Sequence, residues 1–300
     1  MSFKLKYVSR SRLVKYTRTV PCIYPCIYFA SGGVCFLGEK IKNTWEGIIC
    51  FPAKDRIQKP RDTGITMVID KGMGLDETAD LLGICSPYID FIKFAFGTPA
   101  LYPPEILEEK VRLIKSFGVD VYPGGTFLEA AILQGKMEQY LNRIKNIGFT
   151  AIEISDGTIR MSEETRQGAI SFAAGLDFKI LTEVGKKDSS KRLNPGQLAD
   201  QIKKDLKNGA LFVIVEGRDS GINAGLYDRE GQFRQDELEE LLLSLGDQKK
   251  IIWEAPLKSQ HQELIKRFGP NVSLGNIPPQ EVFSLEALRV GLRSDTLADS

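Results

Sequence analysis

Histidine is nearly absent: the 300 residues hold one, His261. Mechanisms that need two or three imidazoles are therefore excluded, which removes most zinc hydrolases and leaves only those Ser-His-Asp schemes built on that residue. His261 lies in the segment SQHQELIKRFG, far from any expected strand end, and reads as a surface residue rather than a catalyst. Cysteine is scarce in the body of the chain. Of five, Cys22, Cys26, Cys35 and Cys50 fall within the first 50 residues, leaving Cys85. Such a body needs no disulfides and suits a reducing compartment, so a cytoplasmic location is expected. Cys85, at the end of the first expected helix, reads as a buried thiol.

Excess charge is also lacking, the formal net charge being +1. The balance conceals an asymmetry. Residues 1–60 carry eleven Lys/Arg and three acids, net +8; the rest carries twenty-nine basic and thirty-six acidic residues, net −7. An acidic body has no reason to bind nucleic acid. Nor is there an unbroken apolar run. Residues 20–37 (VPCIYPCIYFASGGVCFL) follow a basic, acid-free start as a secretory signal would. Pro21, Pro25, Gly32 and Gly33 interrupt any helix there, and the stretch is too broken to span a bilayer. PCIY occurs twice in succession, but Cys22 and Cys26 have no second pair at matching spacing. Residues 1–59 are therefore expected to be a flexible, non-catalytic extension, with residues 45–60 leading into the fold. No membrane partner is expected.

What is present is ordinary globular material, 42% hydrophobic and 26% charged. From Ile65 onward short β-branched runs alternate with amphipathic segments. The strand candidates are 65–70, 89–95, 119–122, 150–154, 178–183, 211–216, 250–254 and 272–275. Helices fit near 76–85, 104–117, 127–147 (with a break available at Gly135), 163–175 behind Ser162, 195–208, 236–245, 258–268 and 279–293. Eight βα units in about 230 residues predict a (β/α)8 TIM barrel over 60–296, followed by a short tail at 297–300. The near-continuous apolar strands suit a parallel sheet covered on both faces. The alternative, an open doubly wound sheet, would carry a Gly-rich turn after its first strand. Asp70-Lys71-Gly72-Met73-Gly74 lacks the third glycine of that motif.

In such a barrel the C-terminal strand ends form the active site. The expected ends carry Asp70-Lys71 on strand one, Lys93 within strand two, Glu153 and Asp156 on strand four, Glu183 with Lys186 and Lys187 on strand five, Glu216 and Arg218 on strand six, Glu254 on strand seven, and Gly275-Asn276 on strand eight. Sequential strands are neighbours, so the glutamates of strands four to seven must converge. Clustered like charges need compensation, from lysines and arginines or from a divalent cation. Hard oxygen ligands favour Mg²⁺, with Glu153, Glu183, Glu216 and Asp156 as the expected ligand set. A lysine inside IDFIKFAF is expensive to bury without a partner, which draws Lys93 into the site; the alternative is a lysine snorkelling on the helix side. Lys71, Lys93 and Lys186 are the expected catalytic lysines. Arg218, Lys187, Gly275, Asn276 and Glu254 are the expected substrate contacts, since Arg grips anions at two points and a Gly-rich turn offers backbone N–H groups.

The segments TMVIDKG (66–72), YIDFIKFAFGT (88–98), VDVYPGGTFLE (119–129), AIEISDGTI (151–159), LTEVGKK (181–187), VIVEGRDSG (213–221), EAPLKSQ (254–260) and SLEALRVGLRSDT (284–296) together resemble the phosphosulfolactate synthase family. The resemblance spans the whole expected barrel and leaves the first 60 residues uncovered. It implies a (β/α)8 fold that adds sulfite to phosphoenolpyruvate with Mg²⁺, giving (2R)-phospho-3-sulfolactate. It also implies a family with bacterial members and plant relatives linked to heat tolerance. Two other readings stay open: a lysine Schiff-base lyase on the same barrel, and a catalytically silent stress-tolerance or interaction protein. A homo-oligomer acting on small anions is the expected assembly.

Overall fold

The computed structural model describes residues 44–45, 47–186 and 192–297. Each apolar run becomes a short parallel strand: β1 Thr66–Asp70, β2 Phe91–Phe94, β3 Asp120–Pro123, β4 Ala151–Ile154, β5 Lys179–Val184, β6 Phe212–Val215, β7 Ile251–Glu254 and β8 Ser273–Ile277. Between and after them lie α1 Leu75–Cys85, α2 Pro104–Ser116, α3 Gly125–Leu133, α4 Met137–Ile147, α5 Glu163–Gly175, α6 Pro195–Lys207, α7 Gln235–Leu245, α8 Lys258–Phe268, α9 Val282–Arg289 and α10 Ser294–Leu297. The sheet order is β3-β2-β1-β8-β7-β6-β5-β4. β3 and β4 meet through Thr150 N donating to Val121 O at 3.1 Å and Val121 N donating to the Thr150 hydroxyl at 3.0 Å, which brings the two ends of the sheet together. The chain is a (β/α)8 TIM barrel. The segment expected as one helix over 127–147 divides around Gly135, which has φ +65°. The last expected helix is shorter than 279–293, because Val290 leaves helical geometry before α10 begins.

Successive side chains on a strand point to opposite faces, so residues two apart share the barrel interior. Ala151, Leu181, Phe212, Ile214 and Ile252 join Met67, Phe91 and Tyr122 in a buried inner cluster. Burying each large apolar side chain contributes about 1.5–3 kcal/mol. A second, larger cluster lies between strands and helices and contains Val68, Ile92, Ile152, Val213 and Leu274 with the apolar faces of the helices. Cys85 is buried in it, and burial raises its thiol to about 11.

The compact unit holding the barrel begins at Ile49, ahead of the expected start at Pro60. The reason is polar. The Arg56 guanidinium donates to both Glu286 oxygens at 2.9 and 3.1 Å, and Arg61 donates to Asp90 at 2.7 Å. Lys59 donates to the carbonyls of Ser86, Ile89 and Gly118. The expectations placed on residues 1–43, including Cys22, Cys26 and Cys35, lie outside the described residues, as does Lys187. Among the described residues no helix is long and apolar enough to cross a membrane.

Candidate active site

Directly above the apolar layer, the same inward positions become charged. Phe91 is followed two residues on by Lys93, Ala151 by Glu153, Leu181 by Glu183, Ile214 by Glu216, and Ile252 by Glu254. The period of two that builds the core therefore also aims one ammonium and four carboxylates into the barrel at its C-terminal end. All five residues are buried, none more than 8% exposed.

Lys93 sits among the carboxylates. Its Nζ lies 2.9 Å from Glu153 Oε2, 3.0 Å from Glu254 Oε1 and 3.6 Å from Glu183 Oε2. Burial works against the ammonium, but Glu153, Glu254 and Glu183 outweigh it and hold Lys93 well above its ordinary value. Backbone N–H groups complete several carboxylates: Gly125 N donates to Glu153 Oε1 at 2.7 Å, Gly217 N to Glu254 Oε2 at 3.0 Å, and Arg218 N to Glu216 Oε1 at 2.7 Å. Gly125 must be glycine. A Cβ there would stand 2.3 Å from Ser155 Oγ and 3.0 Å from Glu153 Oε1.

Among the described residues, Lys93 is the cation seated within the four carboxylates. The Glu153 carboxyl responds chiefly to its burial. Burial pushes it up, Lys93 pulls it down, Glu183 and Glu254 push it up again, and it comes to about 7. One oxygen each from Glu183, Glu216 and Glu254 lies within 4.8 Å of the others, a set of hard donors spaced to hold a cation.

Above this layer opens a cavity of about 290 Å³, lined by Lys93, the four glutamates, Phe96, Gly124, Gly125, Thr126, Thr158, Arg218, Asp219 and Asn276 among others. Arg218 and Asn276 both adopt left-handed backbone conformations, φ +59° and +54°, and Asn276 Nδ2 donates to Arg218 O at 3.0 Å. Non-glycine residues held in that region concentrate at functional sites. The Arg218 side chain is exposed at the rim. Gly275 faces the barrel interior, where an added Cβ would lie 2.6 Å from Met67 Cε and 3.7 Å from Glu254 Cγ.

The remaining expected residues are placed differently. Lys71 is half exposed at the mouth, where it pairs with Asp219 at 3.0 Å and lies 5.7 Å over the Phe96 ring. Asp156 is not among the glutamates. It takes Lys186 Nζ at 2.5 Å and faces Arg166 at 3.5 Å, while Lys186 also donates to Asp156 O at 2.6 Å. Glu254, expected as a substrate contact, lines the cavity and has an oxygen within 4.8 Å of oxygens of Glu183 and Glu216, while Glu153 is turned toward Lys93. His261 corrects an expectation: it is 1% exposed, not on the surface. Its Nε2 lies 2.7 Å from Ala255 O, and burial lowers the imidazole to about 4, so it is a neutral packing residue.

Three buried charged residues carry the loops of the mouth; of them the sequence placed Asp70 at a strand end and singled out neither Glu129 nor Arg166. Asp70 is fully buried against Lys110 Nζ at 2.5 Å and accepts from Gly72 N and Met73 N, which shapes the turn bearing Lys71. Glu129 on α3 accepts from Ser155 Oγ at 2.5 Å and from Thr158 N and Ile159 N, which pins the loop after β4. Arg166 on α5 pairs with Asp205 on α6 at 2.5 Å. The sequence signal available was a charge within an otherwise apolar strand for Asp70 and within a helix for Glu129 and Arg166.

The family model for (2R)-phospho-3-sulfolactate synthase matches residues 54–295. A phosphosulfolactate synthase of Methanothermobacter thermautotrophicus is 45% identical over 249 residues, covering 82% of this chain and 96% of that protein. One from Methanocaldococcus jannaschii is 46% identical over 235 residues, covering 78% and 93% respectively. Among solved structures, the 3-hexulose-6-phosphate synthase of Salmonella typhimurium aligns with a TM-score of 0.53 at 13% identity, covering 76% of this chain and all of that one, which supports the barrel and nothing finer.

Proposed function

The chain belongs to the (2R)-phospho-3-sulfolactate synthase family of enzymes, and from that premise we propose that it adds sulfite to phosphoenolpyruvate to form (2R)-phospho-3-sulfolactate, assisted by Mg²⁺. The observation that carries the reading is the buried layer of four glutamates around Lys93 beneath a small mouth. Both substrates are small anions, and a cavity of about 290 Å³ suits a three-carbon phosphate beside sulfite.

The residues fit the ion. Glu183, Glu216 and Glu254 offer three carboxylate oxygens within 4.8 Å of one another, hard donors of the kind a divalent cation takes. Bound there, Mg²⁺ supplies positive charge where the substrate carboxylate gains electron density. In the addition, the sulfite sulfur forms a bond to C3, and the electrons of the C2–C3 double bond move toward the carboxylate. C2 then takes a proton. Histidine is not available for this, since His261 is packed away behind β7. Lys93, held as an ammonium and lining the cavity, is assigned as the donor, and Glu153 at 2.9 Å, titrating near neutrality, restores its proton. Arg218 and Lys186 draw the phosphate and sulfite to the rim, aided by Gly275 and Asn276, and Lys71 is released from Asp219 to join them.

The test is direct. Purified protein is mixed with phosphoenolpyruvate, sulfite and Mg²⁺, and the products are read by mass spectrometry. A sulfonated three-carbon phosphate that requires all three additions is expected. Its absence with fully folded protein would refute the activity.

A further inference from the structure

The guanidinium of Arg166 is a buried charge with more partners than a structural pair needs. Arg166 stands in the first turn of α5 and is 4% exposed. Burying a guanidinium is costly unless its donors are satisfied. Nε and Nη2 form a two-point fork on Asp205 at 2.9 and 2.5 Å, and Gln201 Nε2 steadies Asp205 at 2.9 Å. That fork alone would serve to tie α5 to α6. Yet Nη2 also donates to Glu183 O at 2.9 Å, the carbonyl of a glutamate in the charged layer. Nη1 faces Asp156 Oδ1 at 3.5 Å, and Asp156 holds Lys186 through both its carbonyl and its carboxylate. Asp205, Arg166, Asp156 and Lys186 thus form a chain of alternating charge running from the helix layer to the mouth.

We propose that Arg166 is a positioning residue of this site, fixing the end of β5 through the Glu183 carbonyl and setting the Lys186 ammonium through Asp156. The role deepens the activity proposed above and rests on it for its effect on turnover, though not for its effect on Lys186. The other lysines of the mouth have separate anchors, Lys93 in the glutamates and Lys71 on Asp219. Loss of Arg166 therefore reaches Lys186 directly through Asp156, and Lys93 only by way of the Glu183 backbone.

Two variants separate positioning from bulk structure. Arg166→Lys keeps a cation for Asp205 but cannot make the fork. Asp156→Asn keeps the shape of the loop and weakens the hold on Lys186 together with the 3.5 Å contact to Arg166. The first readout is the acylation rate of Lys186 by a water-soluble N-hydroxysuccinimide ester, followed by peptide mass spectrometry, with the exposed Lys258 as internal reference. Both variants should raise it severalfold relative to Lys258. The second is steady-state turnover of phosphoenolpyruvate and sulfite. Each variant should lower kcat by about 10- to 100-fold, and the double variant should fall no further than the worse single one, because both cut the same link. If Arg166→Lys does not fold, Asp205→Asn removes the anchor instead and carries the same expectation at Lys186. Unchanged acylation of Lys186 in a folded Arg166 or Asp205 variant overturns the inference, as does a double variant whose loss is the product of the single losses. Absence of wild-type product with a responsive Lys186 refutes the activity and leaves the positioning role standing; wild-type product with an unresponsive Lys186 does the reverse.

Discussion

Replacing Glu153 with glutamine makes the burial of its carboxyl measurable as a difference in the dependence of stability on pH. Burial, reinforced by Glu183 and Glu254, pushes the folded-state carboxyl from its ordinary 4.5 to about 7, against the pull of Lys93 and the Gly125 N–H. Below the ordinary value the carboxyl is protonated in folded and unfolded chains alike, and the folded state bears no penalty. As pH rises, the unfolded chain ionises first, so it binds fewer protons than the folded one and stability falls. The fall ends once the folded carboxyl has ionised too. A gap of about 2.5 pH units at 1.36 kcal/mol each is worth about 3 kcal/mol. Glutamine has the shape of the protonated form and no proton to lose. Relative to wild type, Glu153→Gln should therefore gain about 3 kcal/mol between pH 4.5 and pH 8, whatever its absolute stability. Chemical denaturation at the two pH values in the presence of EDTA reads the gain. Trp253, 2% exposed and stacked on Phe268 at 5.8 Å, supplies the fluorescence signal. An equal stability difference at both pH values would refute the claim that burial raises the Glu153 carboxyl.

Other outcomes follow from the same geometry. Lys93→Ala and Glu183→Gln should each lower turnover by about 100-fold or more while still melting cooperatively; near wild-type turnover in both would remove them from the mechanism. Dialysis against EDTA should abolish product formation and Mg²⁺ should restore it; turnover that survives chelation would exclude the ion. Lys110→Met leaves Asp70 buried without its cation and should cost about 3–5 kcal/mol by denaturant titration, a loss under about 1 kcal/mol contradicting the pair. Gly125→Ala must push aside Ser155 or Glu153 and should lower turnover at least about tenfold in an otherwise folded enzyme; unchanged turnover would mean that the site tolerates the shift.

The barrel was legible because its signal is local and repeated. Each strand is a short apolar run, each helix an amphipathic one, and Ser162 does cap α5, accepting from Thr165 N. The convergence of the strand-end glutamates was legible for a related reason: a period of two within a strand and adjacency between strands determine which side chains meet. Their pairing was not. Lys93 and Glu254 are 161 positions apart, and only closure of the barrel brings them to 3.0 Å. The same closure turns Glu153 toward Lys93 and draws Asp156 off to Lys186 and Arg166, distinctions that spacing along the chain does not encode. His261 misled because its flanking residues are polar; the strand end at Ala255 that receives its ring lies six residues back and in another element. The structural roles of Asp70, Glu129 and Arg166 were not legible because a buried charge on a helix or strand looks like a solvated one until its partner is in place.

The most direct test of the central claim is to soak crystals of the protein in Mn²⁺ and compute an anomalous difference map. A single strong peak bounded by the carboxylates of Glu183, Glu216 and Glu254, beside the Lys93 ammonium, is the predicted result. A map with no peak there, or with its principal peak on other residues, would contradict the account.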